Sequence, residues 1–169
     1  MDIYKLIFVF IALFLFSCNR GYYLPNGAYR PKRAEFSIVN KPFNPNKQLV
    51  NSHIYLVKDP FIDASGEKIY GYMGFYPDGK MIVGSGTERV LQEKLSSENL
   101  FSTSFSIGYY TTNGNAIEVE YFVPDDGGRY HMRAGIIEND YIVFFKKVTL
   151  LMKKEIRKEV LVKSKFVLK

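Results

Sequence analysis

Residues 104–147 read SFSIGYYTTNGNAIEVEYFVPDDGGRYHMRAGIIENDYIVFFKK, and this stretch decides the fold class. Four segments of strand length, Ser104–Thr112, Ala116–Val123, Arg129–Glu138 and Tyr141–Lys147, are rich in Tyr, Phe, Ile and Val. Asn113-Gly114-Asn115, Pro124–Gly128 and Asn139-Asp140 separate them. β-branched and aromatic residues suit pleated surfaces, and short Gly/Asn/Asp clusters turn the chain back on itself, so the stretch is an antiparallel meander.

Face-matching sets an expected register. A two-residue turn at Asn113-Gly114 would put Tyr109 opposite Glu118 and mix the faces. A three-residue loop, Asn113-Gly114-Asn115, puts Tyr109 opposite Val119 and Ile107 opposite Tyr121. A slip of one residue flips every side chain, so the three-residue loop is expected. The same reasoning across Pro124–Gly128 sets Glu118 and Glu120 on one side with Arg129, His131 and Arg133.

The flanks continue the sheet. Upstream, Gln48–Lys58, Lys68–Tyr76 and Lys80–Ser85 read as strands. Asp63-Ala64-Ser65-Gly66 is a turn, and Pro77-Asp78-Gly79 is a hairpin signal. Thr87 opens a short helix, Glu88–Leu95, with Glu88 in the first turn, where the helix dipole favours an acid. Downstream, Tyr141–Leu151 and Glu159–Leu168 form the last pair. The charged stretch Lys153–Lys158 reads as their exposed connection, with a helix through 149–158 as the alternative. The sum is an all-β chain, an antiparallel up-and-down meander of about eight strands forming a closed or open barrel with one short helix. The pattern resembles the small lipocalin-like barrels of bacterial lipoproteins over residues 48–168. The resemblance is carried by strand order and by the Phe75–Lys80 hairpin, since the chain has no Trp for the Gly-x-Trp signature.

Residues 1–17 read as a targeting segment. Lys5 precedes an apolar run of eleven residues, Leu6–Phe16. Such a run suits a signal peptide and falls short of the roughly 20 residues that span a bilayer. Leu15-Phe16-Ser17-Cys18 resembles the lipobox of bacterial lipoproteins, which implies acyl chains on Cys18 and cleavage before it. A plain signal peptide is the alternative. Cys18 is the chain's single cysteine, and an exported chain has little use for one unpaired thiol. By the same analogy Asn19 implies the outer membrane, facing the periplasm. Residues 18–47 then form the acylated N-terminus and tether, with four of the seven prolines, and residues 48–169 the barrel domain. Tyr22, Tyr23, Tyr29 and Phe36 are more aromatic than a spacer needs, so part of the tether is expected to pack on the domain.

The charge of +6 is uneven. Residues 146–169 hold nine Lys/Arg and two Glu, a net of +7, so the remainder nets −1. Such a patch attracts anionic surfaces and says nothing of fold. A nucleic acid is not an expected partner of an exported, acylated chain. Lys163, Lys165 and Lys169 alternate along the last strand and read as a basic face, or as lysines guarding a sheet edge. Glu118, Glu120, His131 and Arg133 form the best polar cluster, either a binding or acid–base face or a solvated charge ladder. His53 and His131 are the only histidines, and no spacing suggests a metal site. No cofactor and no catalytic residue is expected. Tyr70, Tyr72, Tyr109, Tyr121 and Tyr130 are candidate ligand-binding residues, because a tyrosine joins apolar bulk to a polar tip. Two functions lead, and an enzyme using Glu118, Glu120 and His131 ranks behind them. One is non-enzymatic binding of a small apolar or amphipathic ligand inside the barrel. The other is an interaction lipoprotein with a filled core that docks an envelope partner through its basic face.

Overall fold

Asn113 and Ala116 face each other across Gly114-Asn115, and Gly114 takes the left-handed conformation with φ 58° that such a tight turn needs. Tyr109 therefore pairs with Glu120 and Tyr110 with Val119, one residue away from the register expected from the sequence. The expectation assumed one wet face. This strand pair is covered on both faces, so apolar residues on either side of the pleat are satisfied. The computed structural model describes residues 21–32, 34–49, 53–94, 100–125, 128–150 and 153–168, with backbone only for 147–150 and 153–155. The proposed targeting segment 1–17, Cys18 and Lys169 lie outside them.

The strands are β1 (Gly21–Tyr23), β2 (Tyr29–Pro31), β3 (His53–Val57), β4 (Phe61–Ile62), β5 (Lys68–Phe75), β6 (Lys80–Gly86), β7 (Ser106–Asn113), β8 (Ala116–Val123), β9 (Arg129–Glu138), β10 (Tyr141–Leu150) and β11 (Lys153–Val167). From β5 to β11 each strand pairs antiparallel with the next, and β3 joins β11 to β5. The result is a closed, antiparallel, up-and-down barrel of eight strands. Closure removes the sheet edges. The two residues of β4 add a short ladder beside β5, and β1–β2 is a separate hairpin. Lys153–Lys158, expected as a connection or a helix, is strand, because it pairs with Phe145–Leu150 of β10. Between β6 and β7 lies α1 (Glu88–Lys94), close to its expected position, and a single helical turn, Leu100–Thr103.

Inward residues fill one half of the barrel. Tyr55, Met73, Phe75, Met81, Tyr110, Val119, Ile142, Phe144 and Leu161 form its core. The rings of Tyr55, Phe75, Tyr110 and Phe43 meet edge to face, with centroids 5.8, 5.1 and 5.5 Å apart along the chain of contacts. Phe43 and Leu49 come from the segment before β3 and close this end. Phe43 lies against the Pro77–Gly79 turn, 3.0 Å from where a Cβ on Gly79 would stand.

Two further apolar layers lie outside the barrel. Ile54, Tyr72 and Ile82 pack under Leu91 and Leu100 of the helical connection. Ile107, Tyr109 and Phe122 pack under Phe36 and Ile38. Of the stretch expected as a tether with a packing portion, residues 21–32 and 34–47 thus supply a hairpin, an outer layer and a plug.

Two core tyrosines make opposite demands. Tyr110 Oη donates to the carbonyl of Tyr76 at 2.7 Å, whereas Tyr55 Oη has no partner. Tyr110→Phe is expected to cost about 1 kcal/mol in denaturant unfolding, and Tyr55→Phe to be neutral or stabilising. Burial, with Asp140 nearby, pushes the Tyr55 phenol up to about 12, and burial also raises Tyr110. Unfolded phenols ionise at about 10. Stability held below pH 10 is therefore lost as the pH rises toward about 12. Tyr55→Phe should flatten that alkaline loss when unfolding is followed against pH.

Candidate functional site

The other half of the barrel is polar and open. Alternation along β8 carries the inward face from Ile117 and Val119 to Tyr121 and Val123. Opposite them on β9 stand Gly135, Arg133, His131 and Arg129. Tyr121 and His131 stack, with ring centroids 5.4 Å apart and planes 13° from parallel. The Arg133 guanidinium lies 4.8 Å over the Phe144 ring, and its Nη2 is 2.5 Å from Oε2 of Glu159 on β11. An aromatic floor with a cation above it and a carboxylate beside it can orient a molecule that is apolar at one end and polar at the other.

A cleft of about 820 Å³ opens beside this wall, where β6 and β7 part. Their last pair is Val83–Ser106; beyond it β6 runs on to Gly86 paired with β5 but not with β7. Val83, Ser85, Ser106 and Val123 line the cleft from the inward face, and Tyr72 and Gly84 from the outward face. The cleft therefore crosses the barrel rim. Leu100, Phe105, Lys94 and Asp125 complete a lining that is mostly apolar with charged edges.

The third wall is the tip of the β1–β2 hairpin, Leu24-Pro25-Asn26. Asn26 Nδ2 donates to the Thr103 carbonyl at 2.7 Å. Arg30, 5% exposed, donates to the carbonyl of Phe105 at 2.8 Å and to that of Ser104. Burial holds its guanidinium below the usual arginine range. These wall residues were not legible in the sequence. Asn26-Gly27 signalled a turn, but nothing in a Pro-rich stretch says which distant loop it will touch.

The expected site residues disperse. Tyr70 and Tyr72 face outward beneath the helical connection; Tyr72 reaches the cleft, and burial raises its phenol. Tyr109 and Tyr130 face outward against Phe36, at 5.0 and 5.1 Å between centroids. Tyr121 alone of the five faces into the barrel.

The quartet Glu118, Glu120, His131 and Arg133, expected on one face, is split by the barrel wall. Glu120 pairs with Met132, while His131 pairs with Tyr121. The two carboxylates take partners that strand-to-strand reasoning could not foresee. Glu120, 5% exposed, accepts from the Ile38 N–H at 2.8 Å and the Ser37 hydroxyl at 3.1 Å, and Glu118 pairs with Lys41. No acid–base pair of Glu and His assembles.

Of the expected basic face, Lys163 and Lys165 each meet an acid, and Lys169 lies outside the described residues. Lys163 lies 3.7 Å from Asp140 and Lys165 2.7 Å from Glu88, and the Lys165 bond holds the Glu88 carboxyl below its usual range. Among the described residues, no group of three or more His, Cys, Asp or Glu side chains is placed to hold a metal ion, and no helix is long and apolar enough to cross a membrane. Comparison with protein families, with curated proteins and with solved structures returned no match.

Arg30→Leu is expected to free the hairpin wall, because hydrogen bonds from a charged donor contribute about 1.5–3 kcal/mol. Backbone amides of 21–31 should exchange with solvent at least tenfold faster, while those of 117–122 keep their protection. Equal protection in both variants would mean the clamp carries no energy.

Proposed function

We propose that the protein is an outer-membrane lipoprotein, acylated on Cys18 and facing the periplasm, whose barrel binds a small amphipathic ligand. The observation that carries the reading is the cleft across the rim. Its volume of about 820 Å³ lies within the roughly 300–1,000 Å³ of small-molecule sites, which occur in the mouths of β-barrels. An apolar tail would lie against Val83, Leu100, Phe105 and Val123, with a polar head toward the His131 and Arg133 wall. Closed eight-stranded barrels suit one small ligand, as the lipocalin-like resemblance implies. The lipid anchor rests on the Leu15–Cys18 sequence alone.

A second reading keeps the anchor and makes the barrel an interaction module for an envelope protein. The filled half of the interior, closed by Phe43 and Leu49, favours it. The two readings separate by experiment. Residues 19–169, exported and purified gently, should carry a discrete extra mass in native mass spectrometry and should bind a fluorescent fatty acid. Ser85→Trp places bulk at an exposed position of the cleft without touching the core. It should weaken fatty-acid binding at least tenfold and leave the unfolding transition in place. A bare mass together with no fatty-acid binding would favour the interaction module.

A further inference from the structure

The β10–β11 ribbon outgrows the barrel. β9 leaves β10 at the pair Ala134–Phe145, and the β3 ladder leaves β11 at Val57–Leu161. The β10–β11 ladder continues alone for five more pairs, from Lys146–Arg157 to Leu150–Lys153. A two-stranded ribbon with no third strand is marginal in water, so a long one needs a surface to lie on. Its sequence names the surface. Residues 146–158 hold Lys146, Lys147, Lys153, Lys154, Arg157 and Lys158 against Glu155 alone, six positive and one negative, a net of +5.

Register sorts these residues by face. The outward face carries the positions of Phe145, Lys147, Lys154, Ile156 and Lys158, with no acid among them. Ile156 is 67% exposed and Phe145 40%. Cations interleaved with exposed apolar side chains suit the interface of an anionic bilayer, where phosphates meet the lysines and the apolar groups enter the headgroup layer.

The N-terminus points to the same surface. Only three residue steps separate Cys18 from Gly21, the first residue of β1, a reach of at most about 11 Å. β1–β2 sits at the open end, its tip on the cleft, and the ribbon leaves the barrel from that end. We infer that the β10–β11 ribbon docks on an anionic membrane surface and seats the open end of the barrel against it. The inference shares the envelope location of the reading above, but its test needs neither the acyl chain nor the ligand.

Residues 19–169, which hold the whole described fold, are mixed with vesicles of phosphatidylcholine containing phosphatidylglycerol, or of phosphatidylcholine alone, and sedimented. The protein should pellet with the anionic vesicles, at least tenfold more weakly with the neutral ones, and more weakly as salt is added. Lys154→Glu with Lys158→Glu should lower anionic binding at least tenfold, and Ile156→Ser should lower it as well. Lys163→Glu with Lys165→Glu, paired away from the ribbon, should bind like the parent. Matching thermal transitions show that each variant is folded. The inference is overturned if the protein stays in solution with anionic vesicles, if neutral vesicles bind it equally, or if the ribbon variants bind like the parent. Because acyl chains and cleft are not in play, failure here leaves the ligand reading standing.

Discussion

The strand pair β7–β8 is buried on both faces, and most of the structure follows from that. Inward, Tyr110, Ile117 and Val119 join the barrel core. Outward, Ile107, Tyr109 and Phe122 would be a wet apolar patch without a cover. The cover is residues 36–40, held by a buried charge. The Glu120 carboxylate accepts from the backbone N–H of Ile38 and the hydroxyl of Ser37, near the start of the 3-10 turn Ser37–Asn40. Amides at the start of a helical turn have no partner within it, so a carboxylate from the neighbouring strand satisfies the turn while the turn satisfies the carboxylate. Phe43 and Leu49 then follow over the barrel end because the chain is already fixed at Ile38. The Thr111 hydroxyl, donating to the Pro42 carbonyl at 2.8 Å, guides it there.

That plug gives the barrel its polarity. One end is filled with aromatic rings, and an apolar interior of that density leaves little room for a guest. The opposite end has no such plug among the described residues, and its inward positions include Tyr121, His131, Arg133 and Glu159. The connection between β6 and β7 is long and carries α-helical structure, Glu88–Lys94 and Leu100–Thr103. Their ladder ends early, at Val83–Ser106, and a gap opens where a hairpin would have kept the wall shut. The cleft is thus a consequence of connection length. Its outer wall is borrowed from the N-terminal hairpin, and Arg30 holds that wall through carbonyls alone.

The features that depended on neighbours in sequence were legible in it. Eight barrel strands, the Pro77-Asp78-Gly79 hairpin and the helix from Glu88 were expected, because period-two patterning and turn chemistry are local. Register was not. Tyr109 and Tyr110 are adjacent, both aromatic and both packed, one outside and one inside, so alternation could not rank them. Glu118 and Glu120 looked like partners for Arg133 because opposite charges facing each other on adjacent strands are the simplest pairing available to a sheet. Their actual partners, Lys41 and Ile38, sit about 80 residues earlier. The Pro-rich composition of residues 19–47 argued for a spacer, and a covering layer needs little regular structure to do its work, so composition alone was a poor guide there. Lys153–Lys158 looked too charged for a strand, yet a ribbon whose outward face meets solvent or an anionic surface tolerates lysines at 154 and 158 around Ile156.

Charge follows the same axis. At the filled end Lys163 faces Asp140, and on the helix-covered side Lys165 meets Glu88, so part of the C-terminal positive charge is answered locally. Such exposed pairs contribute little to stability. Their effect is on the field. They offset cations in one region, while residues 146–158 carry a net of +5 in sequence. A field focused at one end orients a molecule as it approaches an anionic surface, before any contact is made. Under the reading proposed, the end that meets the membrane first is the end that opens. A ligand with an apolar tail could then pass between bilayer and cleft over a short path, without crossing water.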